Sequence, residues 1–146
     1  MPLENFNELD KFKYKEITDK ILKSFYEVYN ELGNGFLESI YEKALLLVLK
    51  NYGLKAKSQK EIIVSFRDEV IGNFKADIVV ENKVIVELKA VRCIDPAHEA
   101  QLINYLRATP IEVGLLLNFG SKPEFKRFAF DNSRKNRPRI NGDERG

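Results

Sequence analysis

The sequence predicts an α/β sandwich built around a mixed sheet, and three observations predict it. Two stretches near the start repeat apolar residues at spacings of three and four, the mark of amphipathic helices. Three runs rich in β-branched residues then follow one another, with loops so short that neighbouring strands must be antiparallel. A strong helix start comes next, and after it a run apolar on both faces, as an inner strand covered on two sides requires. The order is helix, helix, three strands, helix, strand, with one further short strand.

Each element has its own cause. From Asp10 to Leu32, the residues Phe12, Ile17, Ile21, Leu22, Phe25, Val28, Tyr29 and Leu32 mark a helix. Gly33-Asn34-Gly35 stops it, because glycine and asparagine tolerate the left-handed backbone of a helix C-terminus. A second helix runs from about Leu37 to Tyr52, with Ile40, Tyr41, Ala44, Leu45, Val48 and Leu49 inward and Gly53 as its end. Ile62 to Phe66 reads as a strand, Arg67-Asp68-Glu69 as a turn, and Val70 to Val80 as the second strand. Glu81-Asn82-Lys83 turns the chain again into the run Val84 to Val91. Asp95-Pro96 joins an N-cap to a proline at the first helical position. That helix ends near Thr109-Pro110, since proline disfavours a helical residue before it. Val113 to Phe119 is the inner strand, and Phe125 to Phe130 the last short one.

Composition bounds the class. A chain of 146 residues, 44% hydrophobic and 32% charged, suits one ordinary globular domain, expected over residues 10–131. No apolar run is long enough to span a bilayer, and the polar, acidic start does not resemble a signal peptide. The single Cys93 excludes an internal disulfide and a cysteine-rich zinc site. The expectation is a cytoplasmic protein. Net charge is only +2, but from Lys122 to Arg139 seven Lys or Arg residues stand against two acids. Arg134, Lys135, Arg137 and Arg139 therefore mark residues 132–146, which lack apolar periodicity, as an unstructured basic tail. Such a tail attracts phosphates or is simply a solvated end; charge alone does not separate the two.

Chemistry concentrates on the third strand. In Val84-Ile85-Val86-Glu87-Leu88-Lys89, alternation puts Ile85, Glu87 and Lys89 on one face. Burying an acid and a base in so apolar a run is costly unless they are paired or bind something. Asp77 lies ten residues earlier, on the preceding strand. A two-residue loop at Asn82-Lys83 would set Asp77 opposite Leu88, whereas a three-residue loop pairs Val80 with Val84, Ile78 with Val86 and Asp77 with Glu87. The second register matches apolar residues on one face, and its two facing carboxylates call for a cation between them. Two such carboxylates suit Mg²⁺ or Mn²⁺, and a neighbouring lysine can orient water or offset charge on phosphorus. A cross-strand salt bridge on an exposed face accounts for the same spacing equally well.

Two further patterns bear on this. His98, Gln101 and Tyr105 share a face of the helix after the Glu-x-Lys strand, a common arrangement of polar residues when taken alone. Gly35-Phe36-Leu37-Glu38-Ser39-Ile40-Tyr41 opens the second helix with an acid that its dipole favours.

Taken together, Asp77 followed by Glu87-x-Lys89 resembles the signature of the PD-(D/E)XK nuclease superfamily. Gln101 to Tyr105 is similar to the Gln-x-x-x-Tyr motif of its exonuclease-like branch, and Gly35 to Tyr41 to the motif that names the GxxExxY proteins. The resemblance covers Gly35 to Tyr41, Gly72 to Asp77, Val84 to Val91, His98 to Thr109 and Gly114 to Gly120. It implies a nuclease-like mixed sheet flanked by helices, and a Mg²⁺- or Mn²⁺-dependent nuclease acting on nucleic acid, DNA first. It implies Glu38, Asp77 and Glu87 as metal ligands with the Leu88 carbonyl as an extra one, Lys89 as the catalytic lysine, and Gln101 and Tyr105 as residues that shape the site. Ala76 stands where the superfamily usually has proline. The alternative is a binding module for nucleic acid or a partner that keeps the fold without turnover. Oligomeric state is not written in the sequence.

Overall fold

The computed structural model describes residues 13–135. Helices α1 (Lys15–Leu32) and α2 (Glu38–Asn51) precede strands β1 (Ala56–Phe66), β2 (Glu69–Val80) and β3 (Val84–Lys89). Helix α3 (Pro96–Ala108), strands β4 (Val113–Phe119) and β5 (Pro123–Ala129) and the single turn α4 (Asn132–Lys135) complete the order. The strands form one sheet in the order β1-β2-β3-β4-β5, with β3 and β4 parallel and the other neighbours antiparallel. This is the mixed α/β sandwich that the sequence predicts. No described helix is long and apolar enough to cross a membrane.

Two helices cover one face of the sheet and one covers the other. Ile21, Phe25 and Val28 of α1 and Tyr41, Leu45 and Leu49 of α2 pack on Ile78, Val86, Leu88, Leu115 and Leu117. Leu102, Tyr105 and Leu106 of α3 pack on Val79, Ile85 and Leu116. Each fully buried Leu, Ile or Val of these layers stabilises the fold by roughly 1.5–3 kcal/mol. Strand β4 is buried along its whole length, as its unbroken apolar run requires. Gly114 lets α3 come close: a Cβ there would lie 2.9 Å from the Leu102 side chain.

Two local outcomes differ from the sequence reading. Strand β1 begins at Ala56, six residues before the expected Ile62, because its polar first half pairs with Ile78, Val79 and Val80 of β2. Pairing overrides weak strand propensity there. Asn132–Lys135, expected to be unstructured, forms a helical turn that Asp131 caps by accepting the Ser133 N–H at 2.9 Å. Helix α1 is described from Lys15; residues 10–12 lie outside the described residues.

The β2–β3 turn has the three-residue register, with Val80 opposite Val84, Val79 opposite Ile85 and Ile78 opposite Val86. Glu81 and Asn82 take φ of 55° and 54°, and the Lys83 N–H closes the turn on the Val80 carbonyl at 2.9 Å. One irregularity follows. Ile78 and Val80 pack under α1 and α2, yet Phe74 and Ala76, which strict alternation would place on that same face, pack with α3. The switch falls where the β1–β2 pairing skips Gln59 and Asp77, and Gln59 there has a φ of 51°. Strand β2 thus changes allegiance from one helical layer to the other at Asp77.

Candidate active site

The β2–β3 ladder ends at Ile78 and Val86, and side chains take over beyond it. The Asp77 N–H donates to Glu87 Oε2 at 3.2 Å, and the Leu88 N–H donates to Asp77 Oδ2 at 2.8 Å. Each acid therefore caps a backbone amide of the other's strand, and the two carboxylates converge. Glu87 is only 5% exposed. Burial, and then the charge of Asp77, push its carboxyl up to about 8, against the pull of the Asp77 amide and of Lys89. At neutral pH this pair calls for a proton or a cation. Two hard oxygen donors from adjacent strands fit a divalent ion of the Mg²⁺ class.

The other candidates take different places. Lys89 is half-buried at the end of β3, and its charge favours the Glu87 carboxylate. Leu88 buries its side chain in the α1–α2 core, so only its main chain is left to face a ligand. Glu38 opens α2 and accepts the Ala90 N–H at 3.2 Å, just past Lys89. Among the described residues, no group of three His, Cys, Asp or Glu is close enough to hold a metal ion. Asp77 and Glu87 are brought together; Glu38 is held at the Ala90 amide beside them.

Helix α3 supplies the opposite wall. Gln101 Nε2 donates to the Tyr105 hydroxyl at 2.7 Å, and the Tyr105 ring stacks on Phe74 at 3.9 Å. Burial, and then the nearby Glu87 and Asp77 charges, raise the Tyr105 phenol above its usual range, opposed by Gln101. His98 shares the helix face but serves the helix start: its Nδ1 accepts the Asp95 N–H at 3.1 Å, while Asp95 accepts from Ala97.

The Gly35–Tyr41 motif has a structural logic. Gly35 takes a φ of 110°, open to glycine and strained for other residues. The buried Tyr41 ring stacks on Phe119, and its hydroxyl accepts the Phe36 N–H while donating to the Gly33 carbonyl. The tyrosine fixes the loop that presents Glu38.

Two residues escaped the sequence reading. Glu42 lies one turn beyond Glu38 and accepts from Gln59 Nε2 at 3.0 Å. Burial, and then the charge of Asp77, raise its carboxyl. Its i+4 spacing from Glu38 was the available signal. Asn118 is fully buried in β4, and a lone amide in the apolar run Val113 to Phe119 was the signal there.

The basic tail is only partly as expected. Lys135 is not a solvent-facing cation: its Nζ donates to the Thr109 carbonyl at 2.9 Å and the Ile111 carbonyl at 2.6 Å. Burial pushes its amine down to about 8. The Arg134 guanidinium lies over the Phe130 ring at 5.2 Å. Arg137 and Arg139 lie outside the described residues.

The family model described as the PD-(D/E)XK nuclease superfamily matches residues 15–128. The chain belongs to the PD-(D/E)XK nuclease superfamily. Among solved structures, the crystal structure of SSO0001 superposes with a TM-score of 0.53 and 22% identity. The match covers 64% of this PD-(D/E)XK chain and 50% of that one, so the likeness spans half of the solved protein and is one of fold. No curated protein matches the chain.

Proposed function

We propose that this PD-(D/E)XK protein is a divalent-cation-dependent nuclease that hydrolyses phosphodiester bonds in DNA. The reciprocal capping of Asp77 and Glu87 carries this reading: it sets two carboxylates together at a strand end beside a lysine. Asp77, Glu87 and the Leu88 carbonyl would hold Mg²⁺ or Mn²⁺, with Glu38 joining from the Ala90 amide. Such an ion polarises a phosphoryl oxygen and makes hydroxide available near neutral pH. Lys89 orients the attacking water and offsets the charge that develops on phosphorus. Gln101 and Tyr105 hold each other against the opposite side of the site and fix the approach of the phosphate. Products carry 5′-phosphate ends. The intact Gly35-x-x-Glu38-x-x-Tyr41 motif supports a place among the GxxExxY proteins, working in the cytoplasm.

The test is cleavage of a panel of single-stranded, duplex and branched DNA, and of RNA, with Mg²⁺ or Mn²⁺. Cleavage that requires the metal and is lost in Glu87→Ala supports the reading. The position of Glu38 on Ala90, apart from a three-acid cluster, favours a second reading: a module that binds nucleic acid or a partner without turnover. Metal-independent binding with no cleavage of any substrate would establish that one instead.

A further inference from the structure

We infer that Asn118 is a positioning residue that holds the strand end carrying Lys89; the inference rests on the nuclease reading of that strand. Asn118 sits opposite Lys89, the last pair of the parallel β3–β4 ladder. Past this pair β3 has ended, and its chain would normally leave the sheet. Instead the Asn118 carboxamide reproduces a ladder step with its side chain. Its Oδ1 accepts the Val91 N–H at 3.0 Å, and its Nδ2 donates to the Val91 carbonyl at 2.9 Å. The same Nδ2 also donates to Glu124 Oε1 at 3.2 Å, which fixes the orientation of the amide. The Asn118 side chain is fully buried, so its polar atoms depend on these bonds rather than on water.

The surroundings show why this amide matters to Lys89. Successive amides of a strand point to alternate sides. On the β2 side, Leu88 N–H is taken by Asp77 and Ala90 N–H by Glu38. Both partners are acids of the proposed metal site, so their hold changes when a cation binds. On the β4 side Val91 is held by Asn118, a neutral group whose bonds do not depend on the metal. Gly120 adds a wall to the same spot: a Cβ there would lie 2.2 Å from the Val91 carbonyl and 3.0 Å from Asn118 Nδ2. The Gly120 carbonyl is itself fixed by the Tyr29 hydroxyl at 2.8 Å. Beyond the Lys89–Asn118 pair, the chain is thus anchored to β4 through the Asn118 side chain at Val91, and the strand end that carries Lys89 is loosened if that anchor is lost.

Two variants approach the anchor from different sides. Asn118→Leu keeps the strand apolar and removes the amide, and Gly120→Ala leaves the amide but crowds the Val91 carbonyl. The measurements are circular dichroism for the fold, hydrogen exchange of the Val91 amide, and kcat and KM on the best nucleic-acid substrate with Mg²⁺. The expected result is exchange at Val91 faster by at least tenfold, with Leu115 and Leu117 still protected. kcat should fall at least tenfold while KM stays within about threefold. Unchanged Val91 exchange in folded Asn118→Leu overturns the inference, and so does wild-type kcat once that protection is lost. Should the wild-type chain cleave nothing, the nuclease reading falls by itself; Val91 exchange then decides whether the clamp exists.

Discussion

The Asp77 amide donates to the Glu87 carboxylate, and the Asp77 carboxylate answers by accepting the Leu88 amide. This exchange keeps two carboxyl groups side by side where a strand ladder has ended. Removing either acid frees a backbone N–H as well as a potential ligand, so each substitution has a structural and a chemical cost.

The raised Glu87 pKa makes stability depend on pH. The carboxyl titrates near its ordinary 4.5 when unfolded and at about 8 when folded, so between these values the folded chain binds the extra proton. Stability without metal therefore falls as pH rises from about 5 to about 8. Thermal melts in chelator should show a Tm lower at pH 8 than at pH 5.5. Glu87→Gln should flatten that slope, and saturating Mg²⁺ should restore Tm at the upper end. An equal slope in wild type and Glu87→Gln would place the titration elsewhere.

Lys89→Met keeps an aliphatic stem and removes the charge. Turnover should drop by roughly 10²-fold or more, as expected when a group that stabilises developing charge is removed. Mg²⁺ affinity should change little, because an ammonium offers a cation no lone pair. Isothermal titration beside single-turnover cleavage reads the two effects separately; a Lys89→Met protein that cleaves at the wild-type rate removes the lysine from the mechanism.

Tyr41→Phe should destabilise the fold without touching chemistry directly. Two hydrogen bonds of the phenol disappear, costing about 1–2 kcal/mol in total. Gly35→Ala should cost about 1–3 kcal/mol by forcing a side chain into a positive φ. Urea unfolding measures both, and neither variant should alter the cleavage products.

The basic end divides at Lys135. Truncation after Lys135 should weaken DNA binding and reduce the salt slope by about 0.9 for each phosphate no longer neutralised, leaving turnover on saturating substrate intact. Truncation after Asp131 should in addition lower Tm, since the Thr109 and Ile111 carbonyls lose their donor. Equal melting of the two truncations would contradict the bonds of Lys135, and truncated proteins that bind as tightly as the full chain at every salt concentration would make the end a solvated one.

Much of the fold was legible because its causes are local or periodic. Parity alone chose the Glu81–Lys83 register, since a one-residue slip would have turned Val84 and Val86 away from the core. The start of α3 was legible because Asp95-Pro96 acts on its own neighbours. What stayed hidden depends on chain segments far apart. Nothing near Asn118 says that Val91 passes beside it, and nothing near Lys135 says that the Thr109 carbonyl faces it. The turnover of β2 from one layer to the other was hidden too, because the positive φ beside it falls on Gln59 rather than on a glycine.

That turnover has a geometric consequence. From Glu69 to Asp77 the strand extends roughly 26–30 Å at the usual rise per residue, with one irregularity in its pairing at Ile71. The ribbon it forms with β1 carries Phe66, Val70 and Ile71 with more than half of each exposed near its tip. The exposed apolar tip and Asp77, a ligand in the proposed metal site, are therefore the two ends of one stretch of strand.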